Sequence, residues 1–315
     1  MTVVETITEG VREEGLLLPG RAVVVLLSGG RDSTCLLDVA IGICGAEQIM
    51  ALHVNYGLRE SADDDERHCR ELCAQLGVEI EVKHARSRPP GNVQAWAREL
   101  RYDAATQLAL AHAADIAAGH TATDQVEGIL YRLASSPSRR ALLGMRARDG
   151  NLVRPLLHFT REQTGDYCRE RGLEWCDDES NDSGVYARGR TRHGLVPALR
   201  QIHPAAEQNV LALAETLRDE AEVLDGIVDT ELAGHAEIRL RRLRALPPAL
   251  ARLIVQRLAD RVEGRPTPGA SRRLDDILAL HDVGTSHVDL RGGVRATVVE
   301  GVLSFDRTPE IAREP

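Results

Sequence analysis

From residue 23 the chain alternates short apolar runs with longer segments of helical period, the pattern of a parallel sheet covered by helices. Residues 23–27, Val-Val-Val-Leu-Leu, form a continuous apolar run bounded by Ser-Gly-Gly and predict a strand buried on both faces. A helix over 33–43 follows, ended by Gly45. Residues 49–54 predict a second strand, 62–76 an amphipathic helix closed by Gly77, and 78–83 a third strand. The segment 86–91, with two prolines, reads as a loop, and Asn92 as the N-cap of a helix over 93–113. A short strand at 115–118, a helix at 124–133, a fifth strand at 152–157 and a helix at 160–171 complete this part. Helical patterning resumes after the polar stretch 177–184 and runs to about residue 232.

The remainder changes character. Pro247 and Pro248 introduce a helix to about residue 262, residues 264–269 form a turn, and 271–281 another helix. Residues 287–290, 294–299 and 302–305 alternate around Gly292-Gly293 and Glu300-Gly301, a small antiparallel meander. The expected architecture is α/β: a doubly wound parallel sheet of about five strands over residues 1–205, a helical linker over 206–235, and a small α+β domain over 236–315.

Composition adjusts this picture in three places. At 315 residues two domains are the reasonable prior. No apolar run approaches the roughly 20 residues that span a bilayer, and the acidic first twenty residues lack the basic start of a secretory signal; the cytoplasm is the expected compartment, with no membrane partner. The six cysteines include no Cys-x-x-Cys pair and several sit at apolar helical positions, which predicts reduced, buried thiols. A net charge of -9 excludes only a uniformly basic surface.

The strongest chemical signal follows the first strand. Ser28-Gly29-Gly30, then Arg31, then Asp32-Ser33 opening a helix present free backbone N–H groups at a helix N-terminus, which favours an anion there. Gly29 and Gly30 let the backbone curl around phosphate oxygens. Ser28 and Ser33 add hydroxyls, and Asp32 suits Mg²⁺ beside a pyrophosphate. The plainer reading is a strand-to-helix turn capped by Asp32 and Ser33. The full pattern behind a Val-rich strand outweighs it.

Ser-Gly-Gly-x-Asp-Ser is the signature of the N-type ATP pyrophosphatases (PP-loop enzymes), which this domain resembles. The resemblance implies a parallel sheet wound with helices, and cleavage of ATP to AMP and pyrophosphate as a substrate oxygen is adenylated. Three segments narrow it to the tRNA(Ile)-lysidine synthetase family. Residues 52–59, Leu-His-Val-Asn-Tyr-Gly-Leu-Arg, resemble that family's HVxHGL, with Tyr56 where histidine is common. Residues 92–102, Asn-Val-Gln-Ala-Trp-Ala-Arg-Glu-Leu-Arg-Tyr, resemble NxEAxARxxRY, with Gln94 for Glu. Residues 119–127, Gly-His-Thr-Ala-Thr-Asp-Gln-Val-Glu, resemble HHxxDQxET, and Gly128 replaces its Thr.

Downstream, residues 154–157 resemble RPLL, residues 174–181 WxxDxSN, and residues 188–197 RNxxRHxxxP, with Gly189 for Asn. Residues 132–145 depart from the family's glycine-rich RGxGxxGLxGM; their ends match and the glycines do not.

The resemblance implies that Asp32, Arg101, His120 and Asp124 serve catalysis, that Asp32 and Asp124 hold Mg²⁺, and that Ser28, Gly29, Gly30, Arg31, Asp32 and Ser33 hold ATP. Plainer readings exist: Asp124 with Glu127 fits a capping box, His120 a strand-end polar residue, Arg101 a surface helix residue. Arg188, Arg190 and Arg192 interrupt an acidic chain and are expected to meet tRNA phosphates rather than only solvent. The implied reaction adenylates the 2-carbonyl oxygen of the wobble cytidine of tRNA(Ile) with a CAU anticodon, and the amine of free L-lysine then displaces AMP. The C-terminal domain is expected to contact tRNA, and a homodimer is left open. Rival readings are a PP-loop tRNA thiolase, disfavoured by the lack of Cys-x-x-Cys, a small-molecule amidating synthetase, and a tRNA-binding relative without catalysis.

Overall fold

A computed structural model of the chain describes residues 1–58, 61–86, 89–136, 138–176, 187–264 and 266–309. The chain divides into two compact units, Met1–Glu215 and Thr216–Pro315.

The first unit opens with a helix absent from the sequence expectation, α1 (Val3–Glu13), started by a capping box between Thr2 and Glu5. Its Ile7 and Val11 are fully buried. Then come β1 (Val23–Leu26), α2 (Arg31–Cys44), β2 (Ile49–Asn55), α3 (Ala62–Leu76), β3 (Glu79–His84), α4 (Val93–His112), β4 (Asp115–Ala118), α5 (Ala122–Ser135), β5 (Arg148–Asp149), β6 (Leu152–Val153) and α6 (Arg161–Arg171). The sheet order is β3-β2-β1-β4-β6-β5, parallel throughout except for the β5–β6 hairpin. The expected fifth strand shrinks to two residues: Pro155 supplies no ladder donor and the chain turns away, burying Leu156 and Leu157 off the sheet.

All four residues of β1 are buried, as a central strand with helices on both faces requires. β2 and then β3 extend the sheet on one side of β1, and β4 on the other. The chain direction of winding therefore reverses between β1 and β4. The carboxyl ends of strands at such a reversal are the place where open α/β sheets bind ligands.

The unit continues through α7 (Ala187–Arg190), a π-helical turn over Thr191–Leu195, and α8 (Val196–Ile202). The wide turn lies immediately before Pro197, whose missing N–H and bulky ring disrupt an ordinary α register. The division between units falls within α9 (Ala206–Leu232).

The second unit holds β7 (Glu237–Arg239), α10 (Leu240–Ala245), α11 (Pro248–Glu263), α12 (Leu274–Leu278), β8 (Thr285–Asp289), β9 (Val294–Val299) and β10 (Val302–Arg307). The expected meander is present, and β7 joins it by pairing with β10, giving the antiparallel order β7-β10-β9-β8. The helix expected over 271–281 is a 3₁₀ turn followed by the short α12. Leu240, Leu243, Ile254, Val298 and Leu303 form the centre of its core. Among the described residues no helix is long and apolar enough to cross a membrane.

Candidate active site

The loop leaving β1 is closed by its own serines. Ser33 Oγ donates to the Gly30 carbonyl at 2.9 Å, accepts from the Ser28 N–H at 3.2 Å and lies 3.0 Å from Ser28 Oγ. Gly29 sits at φ +84°, a left-handed conformation that glycine adopts without strain, and a Cβ there would stand 3.2 Å from Cys69 Sγ. Gly30 is the N-cap of α2 and no side chain caps it. Neither Asp32 nor Ser33 is the N-cap, so α2 begins with its N-terminus uncapped by a side chain, the kind of helix end that favours an anion. Arg31 extends its guanidinium to 6.0 Å from the Trp175 ring centroid.

The loop leaving β4 comes up against this one. A Cβ on Gly119 would lie 2.9 Å from the Asp32 carbonyl oxygen, so the two loops touch at their backbones and only glycine fits. His120 follows, its N–H donating to the Ala118 carbonyl at 2.8 Å. The capping box of α5 uses Thr121 and Asp124, not Asp124 and Glu127 as the sequence spacing suggested: Asp124 Oδ2 accepts from the Thr121 N–H at 2.9 Å and from its hydroxyl at 3.0 Å. Glu127 is fully buried and takes a bidentate pair of hydrogen bonds from Arg192, at 2.6 and 3.0 Å. Arg192, expected on an exposed RNA-contact face, thus lines the crevice with its guanidinium held by Glu127. Arg190 is exposed as expected; the side chain of Arg188 and residues 177–181 lie outside the described residues.

The Asp32 carboxylate is strongly perturbed. One oxygen accepts a hydrogen bond from the buried hydroxyl of Thr164; the other lies 3.5 Å from Arg161 Nε. Burial pushes its pKa up to about 6, and the neighbouring charge of Asp124 adds to the rise; the Thr164 hydrogen bond and the Arg161 and Arg31 guanidiniums oppose it. Two mutually repelling carboxylates facing an anion-binding loop match the donor set Mg²⁺ uses, one or two carboxylates with the remaining positions filled by phosphate oxygens and water. Among the described residues no cluster of three metal-ligating side chains exists.

These groups line one crevice of about 540 Å³. Its lining includes Ser28, Gly30, Asp32 and Ser33 of the loop, His120 and Asp124, and Gln94, Arg98, Arg101 and Tyr102 of α4. Both arginines pack on the Tyr102 ring, with guanidinium carbons 4.7 and 5.4 Å from its centroid. Tyr56 donates to the Ala97 carbonyl at 3.1 Å and meets the Trp96 ring edge-on, fixing β2 to the start of α4. The buried His53 ring contacts the Leu27 carbonyl at 3.0 Å, and desolvation lowers its pKa, so it is neutral at pH 7. Five cysteines are buried and Cys176 is half-buried, all as free thiols. Sequence reasoning missed Thr164, Arg161 and the Glu127–Arg192 pair, because each joins residues far apart along the chain.

Residues 3–199 match the family described as the PP-loop domain. A tRNA(Ile)-lysidine synthase of Gloeobacter violaceus is 35% identical over 256 residues, covering 77% of this chain and 78% of that protein. One from Pseudomonas fluorescens is 35% identical over 215 residues, 66% of this chain and 48% of that protein. The chain spans only 48% to 58% of the length of that relative and of two others, from Pseudomonas putida and Solibacter usitatus. A solved U34-tRNA thiolase, NcsA from Methanococcus maripaludis with its [4Fe-4S] cluster, superposes with a TM-score of 0.58 at 17% identity. It covers 68% of this chain and 78% of that one, a likeness of fold.

Proposed function

We infer the function of this chain from the family to which it belongs, the tRNA(Ile)-lysidine synthases of the PP-loop family. We propose that it adenylates the 2-carbonyl oxygen of the wobble cytidine of tRNA(Ile) bearing a CAU anticodon, releasing pyrophosphate. The amine of free L-lysine then attacks C2 of the ring, AMP leaves with the former carbonyl oxygen, and the nitrogen loses a proton. The observation that carries this reading is the single crevice uniting the loop at Ser28, Gly30, Asp32 and Ser33 with His120, Asp124 and Arg101.

In this reading the N–H groups of residues 29–33 cradle the phosphates of ATP. Mg²⁺, held by Asp32 and Asp124, would offset the negative charge that builds on the leaving pyrophosphate. Arg101, braced on Tyr102, contributes fixed positive charge to the opposite wall. To His120 we assign the proton released as the lysine amine attacks. Arg192 is held by Glu127 and shapes the crevice, which leaves Arg190 and Arg188 as the tRNA-phosphate contacts of this segment. The second unit, residues 216–315, is assigned to further tRNA contact.

The test is incubation with ATP, radiolabelled lysine and tRNA transcripts that differ only at the wobble base. Label entering the CAU transcript alone is the expected result; no label, or label independent of the wobble base, rejects the assignment. Lysine-independent incorporation of sulfur would point instead to a thiolase. That alternative needs a reactive thiolate, and burial raises the pKa of Cys35, Cys69, Cys73 and Cys168.

A further inference from the structure

Helix α6 treats the two oxygens of Asp32 unequally. Thr164, fully buried, donates its hydroxyl to Oδ1. Arg161, one turn earlier, reaches Oδ2 only to an ion-pair distance of 3.5 Å. The Arg161 Nε is buried and, among the described residues, makes no hydrogen bond. A guanidinium committed to a structural carboxylate closes to about 2.7–2.9 Å and forms a fork of two bonds, as Arg192 does on Glu127 at 2.6 and 3.0 Å. Arg161 does neither, although its backbone is well anchored. Its N–H donates to Thr123 Oγ1 at 3.1 Å, beside Asp124, and Thr160 starts the helix with a capping box to Gln163. The root of the side chain is therefore fixed at the crevice wall while its head, 30% exposed, is loosely engaged there.

We propose that Arg161 contacts the pyrophosphate portion of ATP directly, and that Thr164 is a positioning residue that keeps Asp32 aimed at the same place. This deepens the proposed function and rests on it. The loop at Gly29 and Gly30 offers phosphate oxygens uncharged N–H donors, to which a guanidinium would add positive charge and a planar fork. Arg161 lines the same crevice, its Nε 3.5 Å from Asp32 Oδ2. Such a contact requires only that the guanidinium exchange one weakly held carboxylate for a phosphate, which presents three acceptor oxygens suited to its planar donors. Thr164 needs no such movement, because its bond to Oδ1 leaves Oδ2 open.

Inorganic pyrophosphate is the probe, with binding to the full chain followed by calorimetry in the presence of Mg²⁺. Arg161→Ala is expected to weaken pyrophosphate binding about tenfold or more and to lower kcat/KM for ATP at least as much, with tRNA affinity unchanged. Arg161→Lys retains the charge without the fork and is expected to recover part of the loss. Thr164→Val is expected to lower kcat with little change in pyrophosphate affinity, and Thr164→Ser to restore it. If Arg161 were only a brace for Asp32, Arg161→Ala would reduce thermal stability and leave pyrophosphate affinity at the wild-type value. That outcome overturns the inference while the proposed function stands. Wild-type protein that neither binds pyrophosphate nor releases it from ATP overturns both. If Arg161→Ala fails to fold, wild-type affinity in Arg161→Lys and Arg161→Gln overturns the inference equally.

Discussion

An aspartate near the end of each sheet shows how differently the two units handle charge. In the second unit Asp289 on β8 stands opposite Arg295 on β9 and takes two hydrogen bonds from it, at 2.6 and 3.0 Å. Those bonds hold its carboxyl below its ordinary pKa. In the first unit Asp32 is half-buried in the crevice beside a second carboxylate, has one firm hydrogen bond, and is pushed up to a pKa of about 6. The same side chain is satisfied in one place and left under-neutralised in the other. Thr164, Gly119 and the α2 N-terminus hold Asp32 in a position the folded chain alone does not favour, which is how a ligand-binding charge differs from a structural one.

Removing the Asp32 charge should have the largest effect on activity and the opposite effect on stability. Asp32→Asn is expected to reduce pyrophosphate release by about 10²–10³-fold or more. The folded-state pKa lies above the ordinary value of 3.8, so ionisation is disfavoured in the folded protein. The contribution of Asp32 to stability is then fully present below pH 3.8 and is lost as pH climbs through 3.8 to about 6. The Asn variant does not titrate. It should exceed wild type by up to about 3 kcal/mol at pH 8, with the gap closing toward pH 4. Urea denaturation at pH 4, 6 and 8 measures this. A gap of constant size would mean that Asp32 carries no electrostatic cost.

Glu127 tests the intermediate case, a charge that is both buried and paired. Glu127→Ala leaves the Arg192 guanidinium, 19% exposed, without its fork and should destabilise the first unit by about 3 kcal/mol. Replacing both partners, Glu127→Leu with Arg192→Met, removes the two charges together and is expected to recover most of that stability without recovering activity. Urea midpoints and pyrophosphate release of the two variants separate these effects. If the double variant were as unstable as the single one, shape rather than charge would hold α5 against the π-helical turn.

What the sequence made readable was local. The buried run of β1, the Ser-Gly-Gly-x-Asp-Ser loop, the Asn92 cap of α4 and the meander of the second unit each depend on residues adjacent in the chain, and each was found at its expected place. Thr164 and Arg161 lie about 130 residues from Asp32, and Arg192 lies 65 from Glu127. No period or cap connects such pairs, so Arg192 read as a tRNA-phosphate contact and Thr164 drew no reading. α1 escaped notice although the sequence carries its signal: Thr2 and Glu5 have capping-box spacing, and Val3, Ile7 and Val11 recur at i, i+4 and i+8 on the face the fold buries. β7 escaped because a three-residue edge strand has too few residues to show alternation. At Asp124 the sequence offered a capping box to Glu127 only as the plainer alternative to a catalytic role; the box begins one turn earlier at Thr121, and Asp124 serves both the helix start and the crevice.

The smallest effect is expected at Asp289. Its side chain is 51% exposed and that of Arg295 23%, so water and salt screen the pair however good its geometry. The lowered pKa of Asp289 means that its contribution is present above the ordinary carboxylate range and fades as pH falls through the depressed value. Asp289→Asn should thus leave the melting temperature near wild type at neutral pH, with any difference shrinking in 1 M salt, and leave pyrophosphate release unchanged. Arg295→Ala should cost somewhat more, because its stem also covers part of the sheet face. A loss of stability at Asp289 comparable to that of Glu127→Ala would erase the distinction between the two sheets, since it would show an exposed cross-strand pair acting with the strength of a buried one. Wild-type stability for Asp289→Asn beside a pH-dependent gain for Asp32→Asn would instead locate the cost of charge in the crevice, where a substrate can use it.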